Sequence, residues 1–197
     1  MKNAFFVSAS IACGKSTFIK NANSMGFESL SADEISRQIL EKNAPLIAAL
    51  LEDEELVCEG QINRKSLALK IFKDSRAKAK LENFMHPKIR EELLGQMQIL
   101  DEKGKIFFAE VPLFFESEFY KNLAPVILIY APKKLSLQRL MRRDGLSEEE
   151  ALRRIDSQMD IEKKIALADF VLENTGDFEA FRRNCLELIE RLSKDRI

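Results

Sequence analysis

Near the N-terminus the chain reads Ala9-Ser10-Ile11-Ala12-Cys13-Gly14-Lys15-Ser16-Thr17. An apolar run at 4–7 precedes this stretch, and a helical pattern with apolar residues at 18, 19, 22 and 25 follows it. A strand, a tight turn ending in Gly-Lys-Ser-Thr and a helix form the setting in which a Walker A motif binds phosphate. The N–H groups of such a turn converge with the positive end of the helix dipole on one anion site. We therefore favour a nucleotide-dependent phosphotransferase over a chance Gly-Lys-Ser in an ordinary strand-loop-helix.

The motif predicts roles for individual residues of the turn. Lys15 can reach the β- and γ-phosphates of a nucleotide, and the Ser16 hydroxyl can coordinate Mg²⁺. Ala9 stands at the first glycine of the full motif, and a left-handed alanine costs about 1–2 kcal/mol. That cost vanishes if Ala9 has an extended backbone. Cys13 lies beside Lys15 at a helix start, so we predict a lowered thiol pKa, inactivation by alkylation and protection by ATP with magnesium.

The composition is that of a globular chain. Its 197 residues are 46% hydrophobic, with five prolines and seven glycines, which predicts one domain with room for an inserted helical portion. A net charge of −1 predicts no nucleic-acid partner. No stretch reaches transmembrane length, so no membrane partner is expected. Three widely spaced cysteines predict neither a zinc site nor a disulfide framework and favour the cytoplasm. The N-terminus also resembles a short signal peptide, but two serines interrupt its apolar part.

Further strands are predicted from apolar runs. The runs within 105–111 and at 126–130 do not alternate with polar residues, which indicates strands buried on both faces of a parallel sheet. With the shorter segments 27–31 and 170–173, they make five strands separated by helices, as in a doubly wound α/β fold. Glu110 ends one strand and can hold the water shell of magnesium. The alternative is an ordinary carboxylate at a strand end.

Asp33 follows the second predicted strand. Ligands of open α/β sheets lie beyond the carboxyl ends of the strands, which predicts that Asp33 lies beside the phosphate loop. An aspartate there can accept a proton from an attacking hydroxyl. A plain helix N-cap is an equally good interpretation.

Residues 44–103 show a mostly helical pattern, which His86-Pro87 interrupts. Proline suits the first turn of a helix, so we predict that a new helix starts at Pro87. His86 is the only histidine, and by itself it is expected to be a cap or a packed residue.

Arginines dominate a later helical segment. Arg139, Arg142 and Arg143 are spaced i, i+3, i+4 and share one helical face. Between 135 and 162 every cation is arginine, whose planar fork suits bidentate contact with phosphate. Together with the phosphate loop, this pattern predicts a mobile lid that carries arginines. A solvated surface helix beside the acidic cluster 148–150 is the alternative.

Taken in order, the motifs of this chain resemble the dephospho-coenzyme A kinase family from the first strand to Asn174. The residues that carry the resemblance are Gly14-Lys15-Ser16-Thr17, Ala32-Asp33 with Arg37, His86-Pro87, Val111-Pro112-Leu113-Phe114-Phe115-Glu116, Gln138-Arg139-Leu140 with Arg143-Asp144, Arg154 with Gln158, and Ala168-Asp169 with Asn174-x-Gly176. Each motif is weak alone, whereas their order and spacing are specific.

The resemblance implies a three-layer P-loop kinase fold with a five-stranded parallel sheet flanked by helices. It implies a nucleotide-binding core (1–34, 104–132 and 165–197), a helical acceptor-binding part (35–103) and a lid (133–164). The implied reaction transfers the γ-phosphoryl group of ATP, with Mg²⁺, to the ribose 3′-hydroxyl of dephospho-CoA, the last step of coenzyme A biosynthesis. Two alternatives are a P-loop kinase for another small hydroxyl or nucleoside monophosphate, and a nucleotide-binding regulator without catalysis.

The resemblance also implies roles for matching residues. The catalytic residues would be Lys15, Asp33, Arg139 and Arg143. ATP would be bound by Ala12, Cys13, Gly14, Lys15, Ser16 and Thr17, with Asn174 near the adenine. The acceptor would be bound by Asp33, Arg37, His86, Pro87 and Glu116. The family's loop usually reads Gly-Gly-Ile-Gly-Ser-Gly-Lys-Ser, and this chain lacks the glycines at positions 9, 10 and 12, which we expect to affect nucleotide affinity and turnover more than the fold.

Overall fold

The computed structural model describes residues 1–194, except for the side chain of Glu118. Within these residues, the strands are β1 (Ala4–Ala9), β2 (Glu28–Ser31), β3 (Val57–Cys58), β4 (Gln61–Ile62), β5 (Phe107–Glu110), β6 (Val126–Tyr130) and β7 (Phe170–Glu173). The α-helices are α1 (Lys15–Ser24), α2 (Ala32–Lys42), α3 (Ala44–Leu50), α4 (Arg64–Lys73), α5 (Ser75–Glu102), α6 (Lys133–Asp144), α7 (Glu148–Asp156), α8 (Ile161–Ile165) and α9 (Phe178–Lys194). Short 3₁₀ turns occur at Glu54–Leu56 and Glu118–Tyr120.

A five-stranded parallel sheet has β1 at its centre, in the order β2-β5-β1-β6-β7. Phe6 is paired with Ala109 on one side and with Val126 on the other. All six residues of β1 are buried, because helices flank the sheet and α1 and α8 contact its strands. This burial explains the apolar runs without alternation. The predicted α/β fold with a five-stranded parallel sheet is confirmed.

The path of the chain reverses direction at β1. From β1 the chain runs outward to β2 and returns through β5, and it then passes β1 to continue through β6 to β7. Open α/β sheets bind ligands beyond the carboxyl ends of their strands at such a reversal. The turn after β1, which contains the Gly-Lys-Ser-Thr stretch, therefore occupies the favoured position for a ligand site.

The chain divides into two compact units. The first contains Met1–Ser31 and the chain from Met97 onward, and thus the whole parallel sheet. The second, Ala32–Gln96, contains α2, α3, α4, most of α5 and the β3-β4 ribbon. Of the predicted core segment 165–197, the last three residues lie outside the described residues. Within residues 1–194, no helix is long and apolar enough to cross a membrane.

The prediction that His86-Pro87 interrupts the helical region is wrong. Pro87 lies inside α5, which continues without a break for 28 residues. An interior proline removes one backbone hydrogen bond and costs about 3 kcal/mol, but packing along the helix offsets this cost. The buried side chains of this helix, mostly at intervals of four, are Ala77, Leu81, Met85, Leu93, Met97 and Leu100. His86 is exposed in the helix interior, so it is neither a cap nor a packed residue.

Candidate active site

The turn between β1 and α1 comprises residues 10–14. Ala9 is the last residue of β1, so the left-handed strain considered for that position does not arise there. Ala12 instead has a φ of 61°, and Gly14 has a φ of 103°. A left-handed alanine costs about 1–2 kcal/mol. The loop is therefore strained, but three residues further along the chain than the motif alone indicates.

Gly14 is required for two separate reasons. Its φ lies in the region that favours glycine, and a Cβ atom there would lie 2.4 Å from Asn174 Nδ2 and 3.1 Å from Phe181 Cε1. The close approach allows the Asn174 amide to donate a hydrogen bond of 2.8 Å to the Cys13 carbonyl. Asn174 is only 7% exposed and follows β7 directly. Asn174, at the end of β7, thus holds the second half of the loop in place through this hydrogen bond.

Arg139 extends this contact. Its Nη2 donates a hydrogen bond of 3.2 Å to Asn174 Oδ1, so a chain of hydrogen bonds joins α6 through Asn174 to the loop backbone. Its Nη1 is buried without a hydrogen-bond partner among the described residues. A buried unsatisfied guanidinium N–H is unfavourable. The described residues therefore leave the hydrogen-bonding capacity of this nitrogen unused.

Lys15 is engaged as well. Its Nζ lies 2.8 Å from Glu110 Oε1, and both side chains are less than one-fifth exposed. The parallel pairing of β1 with β5 explains the contact. Glu110 is the last residue of β5 and pairs with Val7 of β1, so it lies at the end of the sheet where the turn after β1 begins. The Lys15 ammonium and the Glu110 carboxylate thus share the edge of the sheet predicted to bind nucleotide and metal.

The first half of the loop is held by the segment predicted to be a lid. The Ile11 N–H donates a hydrogen bond of 2.9 Å to Gln158 Oε1. Gln158 lies between α7 and α8, within 133–164. On α6, the Ser136 hydroxyl lies 3.3 Å from Cys13 Sγ. In this structure the predicted lid segment contacts the loop directly.

Cys13 does not have the lowered pKa that its sequence position predicts. Its side chain is only 1% exposed. Burial raises the pKa of the thiol, because it disfavours the thiolate, while the hydrogen bond with Ser136 lowers it by a smaller amount. The prediction of a lowered pKa for the Cys13 thiol is wrong. The prediction rested on the helix start and the neighbouring Lys15, whereas the Cys13 side chain points into the protein toward Ser136 and the Ala131 carbonyl.

Arg143 has a different setting from Arg139, although both lie on α6. Its Nε and Nη2 donate to the Asp144 carboxylate at 2.7 Å and 3.1 Å. Arg154 Nη1 contacts the same carboxylate at 3.2 Å. The hydrogen bond from Arg143 lowers the pKa of Asp144, and the charge of Arg154 adds to this effect. Arg143 is exposed, so in this conformation its guanidinium group forms a solvent-exposed ion pair with Asp144.

Glu116 is held on two sides. Its Oε1 lies 2.9 Å from Lys164 Nζ and accepts a hydrogen bond of 3.0 Å from the Met159 N–H. The Lys164 side chain has no exposed surface. Breaking a buried ion pair leaves an uncompensated charge, so this contact firmly joins the Val111–Glu116 segment to the end of the predicted lid.

The remaining predicted site residues belong to the second unit. Asp33 lies in the first turn of α2, and Arg37 lies four residues later on the same helix. The helix starts at Ala32, so Asp33 is inside the helix and the N-cap interpretation is wrong. His86 and Pro87 follow one another within α5. The structure shows all four residues exposed.

The family model described as dephospho-CoA kinase matches residues 6–180 of this chain. The chain belongs to the dephospho-CoA kinase family. A dephospho-CoA kinase of Campylobacter jejuni strain RM1221 is 53% identical over 201 residues, which cover 100% of both chains. A solved structure of a dephospho-CoA kinase from Campylobacter jejuni has a TM-score of 0.83 at 52% identity and covers 100% of both chains. The predicted family and its kinase class are therefore confirmed.

A more distant structure supports the fold alone. A shikimate kinase from Acinetobacter baumannii has a TM-score of 0.53 at 16% identity and covers 99% of this chain and 95% of its own. The P-loop kinase fold expected for a dephospho-CoA kinase is thus confirmed.

Two residues that contact the loop were not assigned a role by sequence reasoning. Gln158 appears in the motifs of the dephospho-CoA kinase family without a function, and Ser136 was not singled out. They are 147 and 123 residues from their loop partners. Neither residue type carries a signal for a contact at such a distance along the chain.

Proposed function

We propose that this chain transfers the γ-phosphoryl group of ATP to the ribose 3′-hydroxyl of dephospho-CoA, giving coenzyme A and ADP. The observation that carries the proposal is the match to the dephospho-CoA kinase family over residues 6–180, which includes the Gly-Lys-Ser-Thr loop. The reaction is the last step of coenzyme A biosynthesis. ATP and dephospho-CoA are the proposed substrates.

On the nucleotide side, the loop and the start of α1 would bind the phosphates of ATP. The transition state of phosphoryl transfer is loose, so catalysis depends on positioning and on neutralising charge. The backbone N–H groups of residues 12–17 would surround the phosphates, and Lys15 would contact the β- and γ-phosphates. Because Lys15 pairs with Glu110 in this structure, it would exchange a carboxylate for a phosphate when ATP binds.

Mg²⁺ bound with ATP would neutralise negative charge between the β- and γ-phosphates. The residues present fit this ion, because the Ser16 hydroxyl and the Glu110 carboxylate are oxygen donors and magnesium prefers oxygen ligands. The Ser16 side chain is exposed near the start of α1, where it can serve as a ligand. Glu110 would hold water molecules of the ion.

Two arginines of α6 have proposed roles in the transfer. An arginine that reaches the transferring phosphoryl group contributes about 10³–10⁵ in rate. Arg139 has a buried Nη1 without a hydrogen-bond partner in the part of the chain that the structure describes, and Arg143 would leave Asp144 to take part. We assign residues 133–164 the role of a lid.

On the acceptor side, Asp33 would orient or deprotonate the 3′-hydroxyl. Arg37, His86, Pro87 and Glu116 would contribute to acceptor binding. The exposure of the four residues of the second unit supports this assignment, since a ligand can reach them. Residues 35–103 are the proposed acceptor-binding part and 1–34, 104–132 and 165–197 the nucleotide-binding core, while Asn174 is proposed to lie near the adenine.

The test is ADP release by the purified protein with a panel of acceptors: dephospho-CoA, nucleoside monophosphates, shikimate and pantothenate. We expect dephospho-CoA alone to stimulate ADP release, with coenzyme A as the product by mass. Stimulation by another acceptor would reassign the substrate. ATP binding without stimulation by any acceptor would leave a nucleotide-binding regulator.

A further inference from the structure

Gln158 is the only side chain outside the loop for which the described structure shows a hydrogen bond to an N–H group of residues 10–14. Its Oε1 accepts from the Ile11 N–H at 2.9 Å. The next residue is fixed in turn, because the Met159 N–H donates to Glu116 Oε1 at 3.0 Å. Glu116 is itself paired with the fully buried Lys164. In this conformation, the position of Gln158 is therefore fixed through its neighbour Met159 by the pair of Glu116 and Lys164.

The amide that Gln158 holds is next to the strained residue of the loop. Ile11 precedes Ala12, whose φ of 61° is unfavourable for a residue with a Cβ atom. Strained backbone persists only where surrounding contacts over-determine it. One hydrogen bond contributes to stability about as much as such an alanine loses.

We infer that Gln158 is a positioning residue that holds the phosphate loop in its nucleotide-binding conformation against the strain at Ala12. The inference rests on the proposed function in one respect, namely that this loop binds ATP. Without the hydrogen bond, the loop relaxes into conformations in which Ala12 leaves the left-handed region. The apparent Kd for ATP then equals the intrinsic Kd divided by the fraction of molecules that keep the competent loop.

Two substitutions, alone and together, test the inference. Gln158→Met keeps the length of the side chain and removes the acceptor oxygen. We expect the Kd for ATP with magnesium to rise about tenfold, while kcat at saturating ATP stays within about threefold because bound ATP selects the competent loop. Ala12→Gly removes the strain. The double variant A12G/Q158M is therefore expected to bind ATP within about threefold of the unmodified protein.

Recovery of ATP binding in A12G/Q158M would distinguish a role of Gln158 in positioning the loop from a general structural role. If Gln158 only supported the fold, relief of strain at Ala12 would not restore ATP binding, and the Q158M substitution would cost equal affinity with or without A12G. Equal losses in both backgrounds overturn the inference. An unchanged or tighter Kd in Q158M also overturns it, since a tighter Kd would mean that Gln158 competes with ATP for the Ile11 N–H.

A second measurement does not depend on turnover. In the ligand-free protein, we expect hydrogen exchange of the backbone amides at 10–14 to be faster in Q158M than in the unmodified protein, and slower again in A12G/Q158M. Gln158→Ala serves as a second variant in case methionine disturbs the packing, and it must show the same rescue. Failure of the unmodified protein to bind ATP would reject the proposed function, whereas normal binding that Q158M and Q158A leave unchanged would reject only the role of Gln158.

Discussion

The residues proposed to bind ATP and those proposed to bind the acceptor differ in how many of their polar groups already contact other residues of the protein. Lys15 is paired with Glu110, and Asn174 is buried against the Cys13 carbonyl. In the second unit, Asp33 and His86 lie exposed on helices. The nucleotide side is thus pre-organised by contacts within one compact unit, whereas the proposed acceptor residues of the second unit are solvated.

The contrast has an energetic meaning. A pre-organised site needs little reorganisation when its ligand binds, so its donors act at full strength on charge that develops in the transition state. Solvated residues must lose water and side-chain freedom before they can position a substrate. Substitutions on the two sides are therefore expected to differ in the size of their effects.

The largest effect is expected for Arg143→Ala, at the exposed end of α6. Loss of an arginine that reaches the transferring phosphoryl group should lower kcat by about 10³-fold or more, while the Kd for ATP changes by less than about threefold. Steady-state kinetics and ATP titration check the two constants. Lys134→Ala, an exposed cation on the same helix, is the matched control. A loss confined to ATP binding would contradict a role in transfer.

Asp33→Asn tests the solvated side. Removal of a group that accepts the proton of the 3′-hydroxyl should lower kcat by about 10²-fold, with an unchanged Kd for ATP. The neighbouring carboxylate is neutralised in Glu34→Gln, which should retain activity. Normal turnover in Asp33→Asn would show that the hydroxyl needs no base and would assign Asp33 to positioning alone.

Thiol reactivity tests whether the loop is packed as tightly as the structure shows. Cys58 is exposed, whereas Cys13 and Cys185 are buried, and burial raises the pKa of both buried thiols. At pH 8 we expect Cys13 to react with a thiol reagent at least about tenfold more slowly than Cys58. Since the thiolate is the nucleophile, the rate at Cys13 should keep rising at a pH where an ordinary thiol has levelled off. In Cys58→Ser the fast phase should disappear, and rapid labelling of Cys13 would disprove the packing.

The smallest effect is expected for Glu110→Gln, which removes the partner of Lys15. Without metal, ATP should bind about two- to fivefold more tightly, because Lys15 no longer has to leave a carboxylate. With magnesium, binding should be weaker by a similar factor if Glu110 holds water of the ion. Titrations of nucleotide with and without magnesium separate the two roles. No change in either titration would mean that the ion pair has no part in nucleotide binding.

The main elements of the fold could be predicted from local sequence. The strands at Val126–Tyr130 and Phe170–Glu173 have the predicted bounds. In the first, an unbroken apolar run fits a strand covered on both faces, whereas the second is an edge strand in which only Leu172 is buried. Pro87 was misjudged, because local rules place proline at the start of a helix. The packing of α5 on both sides of Pro87 keeps the helix continuous despite the lost hydrogen bond. The backbone strain lies at Ala12 and not at Ala9, where the sequence suggested it, and the pKa of Cys13 is raised and not lowered. Both depend on what surrounds the loop.

The amino-acid sequence by itself determined the phosphate loop, the α/β fold and the family, since each depends on residue types at short spacing or in a fixed order. Only the tertiary structure decided which distant groups hold the loop: Glu110 on Lys15, Asn174 on the Cys13 carbonyl and Gln158 on the Ile11 amide. The physical reason is that hydrogen bonds and ion pairs act over about 3 Å in space, whatever the separation along the chain. The sequence around a glutamine or an asparagine does not indicate which distant group will become its hydrogen-bond partner in the folded protein.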